Sequence, residues 1–256
     1  MNKGTYQATQ GMVFEAMRMD IIANNLANLN STGFKRSQLH VTSFEGHLNQ
    51  VAPPQVDTAP SGQPKDTRLP TAMVARYHID LQEGAIHQTR EPLDLAIKGS
   101  GFFGVLDHEG SISYTRDGAF TLNDQGDLVT QTGLPVLDLD EQPLNIGTVS
   151  QIAIDENGKV FGDQQLIGQL LVKDFPADSL QQTGHNLFRI LGSENNDSGG
   201  PATDFKIVQG FLESSNANPI REMVRMIETL RNFQGYQKTI QAFNDSVQQI
   251  NETARS

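Results

Sequence analysis

Apolar residues near the N-terminus recur every three or four positions, as they do along one face of a helix. This stripe consists of Ala8, Met12, Ala16, Met19, Ala23 and Leu26. The pattern predicts an amphipathic helix that stops near residues 30–33, with Gly33 as a left-handed C-cap. Alanine allows close approach of another helix and methionine adapts to irregular partners, so this face is suited to helix packing.

The C-terminal segment has the longest regular pattern in the chain. Its apolar positions are Ile220, Met223, Ile227, Leu230, Phe233, Tyr236, Ile240, Phe243, Val247 and Ile250. The spacing is that of a heptad seam, and it predicts a helix over 219–251 that is about 50 Å long. Asn218 is the expected N-cap and Pro219 the first helical residue. One apolar stripe of this length needs a partner, either the N-terminal helix or the helices of neighbouring subunits.

Between these segments the pattern changes to period two, with frequent turn residues, from about Arg76 to Asp204. This alternation is typical of short β-strands. It predicts one hairpin over residues 111–122, turning at residues 116–118, and another over residues 151–161, turning at Asn157-Gly158.

The expected fold class is therefore α+β, with two long terminal helices in a coiled-coil-like layer and a central all-β domain of short strands. We divide the chain into a helical segment over 1–46, a proline-rich linker or extended arm over 47–72, a β domain over 73–204 and a helical segment over 205–256.

Charge follows the same division of the 256-residue chain. The net charge of −11 arises from residues 47–204, which carry −13, whereas each terminal segment carries +1. An acidic chain lacks the basic face that nucleic acids and anionic membranes require, and no apolar run is long enough for membrane insertion. The N-terminus has no apolar signal sequence, so export without a cleaved signal is expected. The absence of cysteine excludes disulfides and thiol nucleophiles.

One sequence resembles a cofactor site: Gly99–Gly104 fits the G-x-G-x-x-G pattern of dinucleotide-binding proteins. The residues that follow it cannot form the helix that would bind a pyrophosphate, so we interpret it as a bend between strands. We expect no catalytic residues, no cofactor and no metal site. A nucleotide-binding enzyme and a secreted module that binds a surface or glycan are the alternative function classes.

Four asparagines lie within residues 24–30, which is unusual because asparagine disfavours helix interiors. Two interpretations stay open. The cluster is either a polar helix face that frays into a turn, or Asn24 and Asn28 form hydrogen bonds across a packed interface.

Four segments, in order along the chain, resemble signatures of the bacterial flagellar rod and hook family. They are Asp20–Arg36 (DIIANNLANLNSTGFKR), Leu93–Phe103 (LDLAIKGSGFF), Tyr114–Phe120 (YTRDGAF) and Leu212–Asn218 (LESSNAN). The resemblance implies an axial subunit of the flagellar basal body that leaves the cell through the flagellar type III export apparatus. It also implies helical assembly with copies of itself and with other rod and hook proteins, the terminal helices lying inside and the β domain outside.

Within this family, residues 223–227 and the short proline-rich segment look most like a proximal rod protein, and the distal rod protein shares all the motifs above. Ala217 and Pro219 depart from the aliphatic residues usual at this point of the family, although proline suits a helix start. The assembly interface that we expect comprises Met12, Ala16, Met19, Ala23, Asn24, Asn25, Leu26, Asn28, Gly33, Phe34, Leu212, Glu213, Ser215, Asn216, Asn218, Met223, Ile227, Leu230, Tyr236, Ile240, Phe243 and Val247.

Assembly and folding should be coupled, because neither terminal helix can bury its stripe alone. We therefore expect the ends to be largely disordered before assembly. A chain that lacks 1–46 and 205–256 should remain a soluble monomer with a β-type circular dichroism spectrum.

Overall fold

Two long helices lie at the ends of the described chain. The computed structural model describes residues 3–43, 73–149, 151–184, 186–190 and 199–253. Helix α1 spans Lys3–Ala27 and helix α2 spans Pro219–Thr253, as the periodicity predicted. Neither helix has an apolar stretch that could cross a lipid bilayer. The proline-rich linker predicted for 47–72 lies outside the described residues.

Asn218 caps α2 as its sequence predicted. Its side-chain Oδ1 accepts a hydrogen bond from the Arg221 amide at 3.1 Å, and its carbonyl accepts one from the Glu222 amide at 3.0 Å. Pro219 is the first helical residue, so the departure from the family pattern at this point leaves the helix intact.

The prediction that Gly33 caps α1 is wrong. The helix ends at Ala27, six residues earlier, and residues 28–33 form turns. Gly33 does adopt the left-handed conformation, with φ of 65°, but it serves to bring the chain against another segment. A Cβ at this position would overlap the backbone of Arg116 and Asp117, so only glycine allows this approach.

Between the helices, the described residues form seventeen short strands. They are β1 (Ser37–Ser43), β2 (Met73–Ile79), β3 (Ile86–Gln88), β4 (Leu95–Gly99), β5 (Phe102–Leu106), β6 (Ile112–Thr115), β7 (Phe120–Leu122), β8 (Leu128–Thr130), β9 (Ile152–Ile154), β10 (Lys159–Gly162), β11 (Gln165–Gln169), β12 (Val172–Asp174), β13 (Leu180–Gly184), β14 (Leu187–Ile190), β15 (Gly200–Pro201), β16 (Phe205–Gln209) and β17 (Phe211–Glu213). The largest sheet has the order β13-β14-β6-β5-β12-β15, and a second has the order β11-β10-β9. Four two-stranded sheets pair β1 with β2, β16 with β4, β17 with β3, and β7 with β8. The α+β class is confirmed.

Of the two predicted hairpins, one is confirmed and one is wrong. Strands β9 and β10 pair antiparallel around Gly158, whose φ is 81°. Strands β6 and β7 do not pair with each other, because β6 lies between β5 and β14 while β7 pairs with β8. The cause lies in residues 116–119: Gly118 packs tightly against the Leu95 carbonyl and its own carbonyl accepts the Leu95 amide, so the chain crosses to another sheet here.

The strands continue past residue 204, into the segment that the sequence assigned to the C-terminal helical region. Strand β16 pairs with β4 along five residues, and β17 pairs with β3. The last β-strand therefore ends at Glu213, five residues before the N-cap of α2.

Two compact units divide the chain. The first comprises residues 1–23, 37–78 and 223–256, and the second comprises residues 24–36 and 79–222. The second unit contains the apolar core, in which Leu95, Phe103, Val105 and Val136 are fully buried. A smaller cluster around Phe102, Tyr114 and Phe188 lies in the same unit.

Candidate functional site

A network of buried charges joins the segment after α1, the β domain and the segment before α2. It consists of Lys35, Arg36, Asp80, Arg116, Glu213 and Glu222, and we call it the charge network. All six residues belong to the second unit. Each of the four segments that resemble the flagellar rod and hook family contributes a residue to the charge network or contacts it. These segments are far apart in the sequence but meet in one place.

Lys35 lies at the centre of the charge network. Its Nζ donates a hydrogen bond of 2.7 Å to Glu213 Oε1 and another of 2.8 Å to the carbonyl of Gln82. Both charged side chains are 1% exposed. Burial lowers the pKa of Lys35, because the charged form loses its hydration, and the nearby Glu213 carboxylate opposes this shift.

Glu213 is the last residue of strand β17 and accepts hydrogen bonds from several donors. Its Oε1 also accepts the amide of Gly84 at 2.8 Å, and its Oε2 lies 3.7 Å from Arg116 Nε. Its backbone carbonyl accepts the Gly33 amide at 2.8 Å, which fixes the turn after α1 to the end of β17. A buried carboxylate is tolerated only with such partners.

Arg116 fastens the charge network to the β domain. Its Nη1 donates to the Ile97 carbonyl at 3.0 Å, and its Nη2 donates to the Gly99 carbonyl, both on β4. The guanidinium also lies over the ring of Phe102, 5.6 Å from its centroid. Burial lowers the pKa of Arg116, an effect that Glu213 partly offsets. Its side chain is thus held from three directions.

A second group of charges leads to the first turn of α2. Arg36 forms an ion pair of 2.6 Å with Asp80 and one of 3.5 Å with Glu222. Glu222 is fully buried, and its Oε2 accepts a hydrogen bond of 3.3 Å from Asn25 Nδ2 in the last turn of α1. The end of α1 and the start of α2 are thereby tied to each other.

Asn216 crosslinks three backbone segments without any charge. Its Oδ1 accepts the Arg36 amide at 2.8 Å, and its Nδ2 donates to the carbonyls of Asp80 and Gln82 at 2.8 and 3.0 Å. The side-chain amide is the right group for this position because one oxygen and one NH₂ satisfy both kinds of backbone partner.

Thr32 and Asp117 add a further bond between the turn after α1 and the β domain. Thr32 Oγ1 donates to Asp117 Oδ1 at 2.6 Å, and the Ala119 amide donates to the same oxygen at 3.1 Å. Burial raises the pKa of Asp117, an effect that these two hydrogen bonds oppose.

The charge network contains three cations and three anions, and Lys35 and Arg116 also donate hydrogen bonds to backbone carbonyls. This arrangement fixes the position of residues 31–36 and of the first turn of α2 on the β domain. Its chemistry is that of a rigid connection.

The helices present apolar surface that their own chain leaves exposed. On α2 the exposed residues are Ile220, Met223, Val224, Ile227, Leu230 and Val247, and on α1 they are Tyr6, Val13 and Met17. Of the described side chains of α2, only Glu222 and Thr229 are buried. Within the first unit α1 packs on α2 at two glycines: a Cβ at Gly4 would lie 2.9 Å from Phe243 Cζ, and one at Gly11 would lie 2.5 Å from Tyr236 Cζ.

The residues that we expected at an assembly interface divide into three groups by exposure. The buried ones are Asn25, Gly33, Phe34 and Glu213. The half-buried ones are Met12, Ala16, Met19, Leu26, Asn28, Leu212, Ser215, Asn216, Tyr236, Ile240 and Phe243. The exposed ones are Ala23, Asn24, Asn218, Met223, Ile227, Leu230 and Val247. The buried group contacts its own chain, whereas the exposed group faces solvent in the single chain.

The asparagine cluster combines features of both interpretations. Asn28 Nδ2 donates to the Asn24 carbonyl at 2.9 Å, a local bond at the frayed end of α1. The long-range bond is made by Asn25, whose partner Glu222 lies 197 residues away in the sequence. Asn25 rather than Asn24 therefore faces the packed side of the helix.

Lys35, Arg36, Arg116 and Glu222 were missing from the predicted interface. Lys35 and Arg36 lie inside a family-like segment, but their partners lie more than forty positions away and follow no spacing rule. Arg116 was assigned to a hairpin turn. Its position before Asp117-Gly118 gave no sign that the side chain turns inward.

The glycine-rich segment Gly99–Gly104 is a bend between strands, as we interpreted it. Strand β4 ends at Gly99 and β5 begins at Phe102. Gly99 and Gly101 have φ of 99° and 122°, values that L side chains rarely adopt. No helix follows the bend in this described region, so it has no N-terminal amides with which to bind a pyrophosphate.

Three stretches of the chain match families of flagellar proteins. Residues 6–35 match the family described as flagella basal body rod protein. Residues 96–162 match the flagellar hook protein FlgE/F/G D1 domain, and residues 208–253 match the flagellar basal body rod FlgEFG protein C-terminal family.

Relatives match the chain over nearly its full length. The flagellar basal-body rod protein FlgG of Buchnera aphidicola subsp. Acyrthosiphon pisum is 32% identical, with 94% of this chain and 96% of the relative covered. FlgF of Caulobacter vibrioides, also a flagellar basal-body rod protein, is 32% identical, with 93% and 92% covered. FlgG of Borreliella burgdorferi is 30% identical, with both chains covered completely.

Proposed function

Because the chain belongs to the family of flagellar rod and hook proteins, we propose that it assembles with copies of itself through its terminal helices to build the proximal part of the rod. It is a structural subunit of the flagellar basal-body rod, as the names of its relatives indicate. Assembly through the helices and a proximal position are the parts that we add.

The exposed apolar face of α2 is the observation that carries this proposal. Ile220 is 71% exposed and Ile227 is 53% exposed, and with Met223, Val224 and Leu230 they form one continuous stripe. Exposed apolar stripes of this kind mark protein interaction sites. A second copy is the partner that the family supplies, and a repeated contact between two different faces generates a helical filament when it does not close.

Coupling of folding to assembly follows from how little apolar surface α2 buries in the single chain. A helix in water depends on tertiary packing for most of its stability. In the single chain the only fully buried side chains of α2 that are described, Glu222 and Thr229, are polar. Packing against neighbouring copies would supply the missing apolar burial, at about 25 cal/mol per Å².

Charge supports an arrangement in which the helices lie inside and the β domain lies outside. Residues 47–204 carry a net charge of −13, and such a surface stays hydrated. The near-neutral ends can pack together without strong repulsion. The partners in this arrangement are copies of the chain and other rod and hook proteins, and the route to the assembly site is the flagellar type III export apparatus.

The proximal position rests on the sequence of residues 223–227 and on the short proline-rich segment. The distal part of the rod is the alternative, and relatives with two different rod-protein names are equally similar to this chain. Imaging of the intact basal body at side-chain resolution tests the position: density for this chain is expected in the cell-proximal part of the rod, and density at the hook end would assign it to the distal part.

Assembly itself is tested with a charge placed in the α2 stripe. Ile227→Asp should abolish polymer formation by the purified chain, and swimming of cells that carry it, because the new carboxylate would be buried at the interface. Asn232→Asp is the matched control: it adds the same charge at an exposed position of α2 and should assemble normally. Polymerisation of the Ile227→Asp chain equal to that of the control would exclude this face as the interface.

A further inference from the structure

Glu15 is a buried carboxylate in the first unit, on helix α1. Its side chain is 10% exposed, and its Oε1 accepts a hydrogen bond of 2.8 Å from Arg18, three residues further along the same helix. Among the described residues, its buried Oε2 has no hydrogen-bond partner. The ion pair with Arg18 thus lies within one helix and leaves half of the carboxylate unsatisfied.

Helical spacing places Glu15 on the side of α1 that packs against α2. Gly4 lies against Phe243. Seven residues further along α1, Gly11 lies against Tyr236, which is seven residues earlier in α2, so the two helices run antiparallel. Glu15 follows Gly11 by four residues, which puts both on one face of α1. A half-satisfied carboxylate is therefore part of the contact between the helices.

A carboxylate in this position weakens the contact. Burial removes its hydration, and one ion pair with the partly exposed Arg18 restores only part of the loss. A buried polar group that lacks its hydrogen bonds costs free energy equivalent to roughly a 5–150-fold change in an equilibrium constant. Glutamine and methionine have nearly the same helix propensity as glutamate, so either would keep α1 helical at residue 15 without the buried charge.

We propose that Glu15 keeps the α1–α2 pair sparsely populated in the free chain and thereby holds back polymerisation, an inference that rests on the proposed function. Ile227 and Leu230 are exposed while α2 is packed on α1, so the paired helices display the stripe through which the chain is proposed to assemble. The apparent affinity of an association falls in proportion to the population of the competent form. Glu15 therefore sets the concentration at which free subunits polymerise.

The test compares Glu15→Gln and Glu15→Met with the unchanged full-length chain. Below the onset of polymerisation, amide hydrogen exchange of residues 4–23, followed by mass spectrometry, should slow at least about fivefold in both variants. The helical circular dichroism signal should rise, and the critical concentration for polymerisation should fall by the same factor as the exchange slows. Both variants lose the ion pair with Arg18, which by itself would lower the helix content, so a rise reports on the contact with α2.

Glu228→Gln is the matched control, because Glu228 is exposed on α2 in the same unit and the change removes the same charge. It should leave both the exchange and the critical concentration as they are in the unchanged chain. The proposal is overturned if exchange in the two Glu15 variants stays the same or quickens, if the control slows it equally, or if the critical concentration does not fall when exchange slows.

Failure of this inference is distinguishable from failure of the proposed function. If no chain polymerises, the unchanged one included, the proposed assembly is refuted. The exchange measurement on the dilute chain still decides whether Glu15 weakens the pair of helices, because it requires no polymer.

Discussion

Lys35 Nζ and Glu213 Oε1 lie 2.7 Å apart in a site where both side chains are 1% exposed, although 178 residues separate them in the sequence. This ion pair joins the segment that follows α1 to the segment that precedes α2. Both residues belong to the second unit, so the pair holds these two segments together there. The charge network supplies such a fixed connection within the second unit.

Glu213→Gln should lower the free energy of unfolding by about 3–5 kcal/mol, because removal of one member of a buried ion pair leaves the other charge uncompensated. Here two cations, Lys35 and Arg116, would lose their carboxylate. Urea denaturation followed by circular dichroism measures the change. Glu156→Gln is the control, because it removes the carboxylate of an equally short but exposed pair with Lys206 and should leave stability almost unchanged. Equal effects of the two variants would contradict the structural role of the charge network.

Asp117 should make the protein less stable as the pH rises through the acid range. Burial raises the pKa of Asp117 in the folded state above the usual 3.8. At pH values between 3.8 and this raised pKa, the folded state therefore binds more protons than the unfolded state. The free energy of unfolding therefore falls with rising pH across this window. Asp117→Asn should remove this fall and keep the hydrogen bonds from Thr32 and Ala119, since the amide oxygen can accept both.

Asp127 provides a comparison of opposite sign. Hydrogen bonds from Asn123 and Asn145 lower the pKa of Asp127 below 3.8. The ionised carboxylate therefore stabilises the folded state above pH 3.8, and this contribution is lost as the pH falls through the folded-state pKa. Asp127→Asn should therefore change the pH profile of the denaturation midpoint in the opposite direction to Asp117→Asn. Profiles that change in the same direction would show that the environment of Asp117 differs from the one described.

Gly33→Ala should be far more destabilising than the same change at Gly133, although both glycines have positive φ, of 65° and 83°. Positive φ alone costs an alanine roughly 1–2 kcal/mol. Gly133 has no atom within 4 Å of a new Cβ, so its variant should show only that cost. At Gly33 the Cβ would overlap the backbone of Arg116, which must move and weaken the bonds to β4. Thermal unfolding of both variants measures the difference, and similar melting temperatures would contradict the tight approach.

Local pattern was enough to predict the helices but not the charge network. Helix α2 follows from a repeated spacing and from the Asn218-Pro219 cap, which act over a few residues. The β9–β10 hairpin follows likewise from Asn157-Gly158. The partners of Arg36 and Arg116 depend on how distant strands pair, and no periodicity encodes that.

The wrong hairpin shows the same limit. Residues 116–118 have the composition of a turn, but burial of the Arg116 side chain and the contact of Gly118 with Leu95 carry the chain to another sheet. A hydrophilic residue next to Asp-Gly suggests an exposed turn unless its buried carbonyl partners on β4 are known. Tertiary contacts therefore overruled the local turn preference.

The length of chain that folds without the helices can also be defined from these contacts. We expected a chain without 1–46 and 205–256 to remain a soluble β monomer, but that deletion removes β16 and β17, which pair with β4 and β3. It also removes Glu213 and Gly33, so Arg116 would stay buried without its counter-ion.

A fragment of residues 24–222 retains these partners. It should unfold in one cooperative transition, with a β-type circular dichroism spectrum and the sedimentation of a monomer. The fragment 47–204 should show no cooperative transition. The full-length chain should gain helical signal as it polymerises, since α2 then buries its apolar stripe. Cooperative unfolding of both fragments at the same temperature would mean that β16, β17 and the charge network contribute nothing to the stability of the β domain.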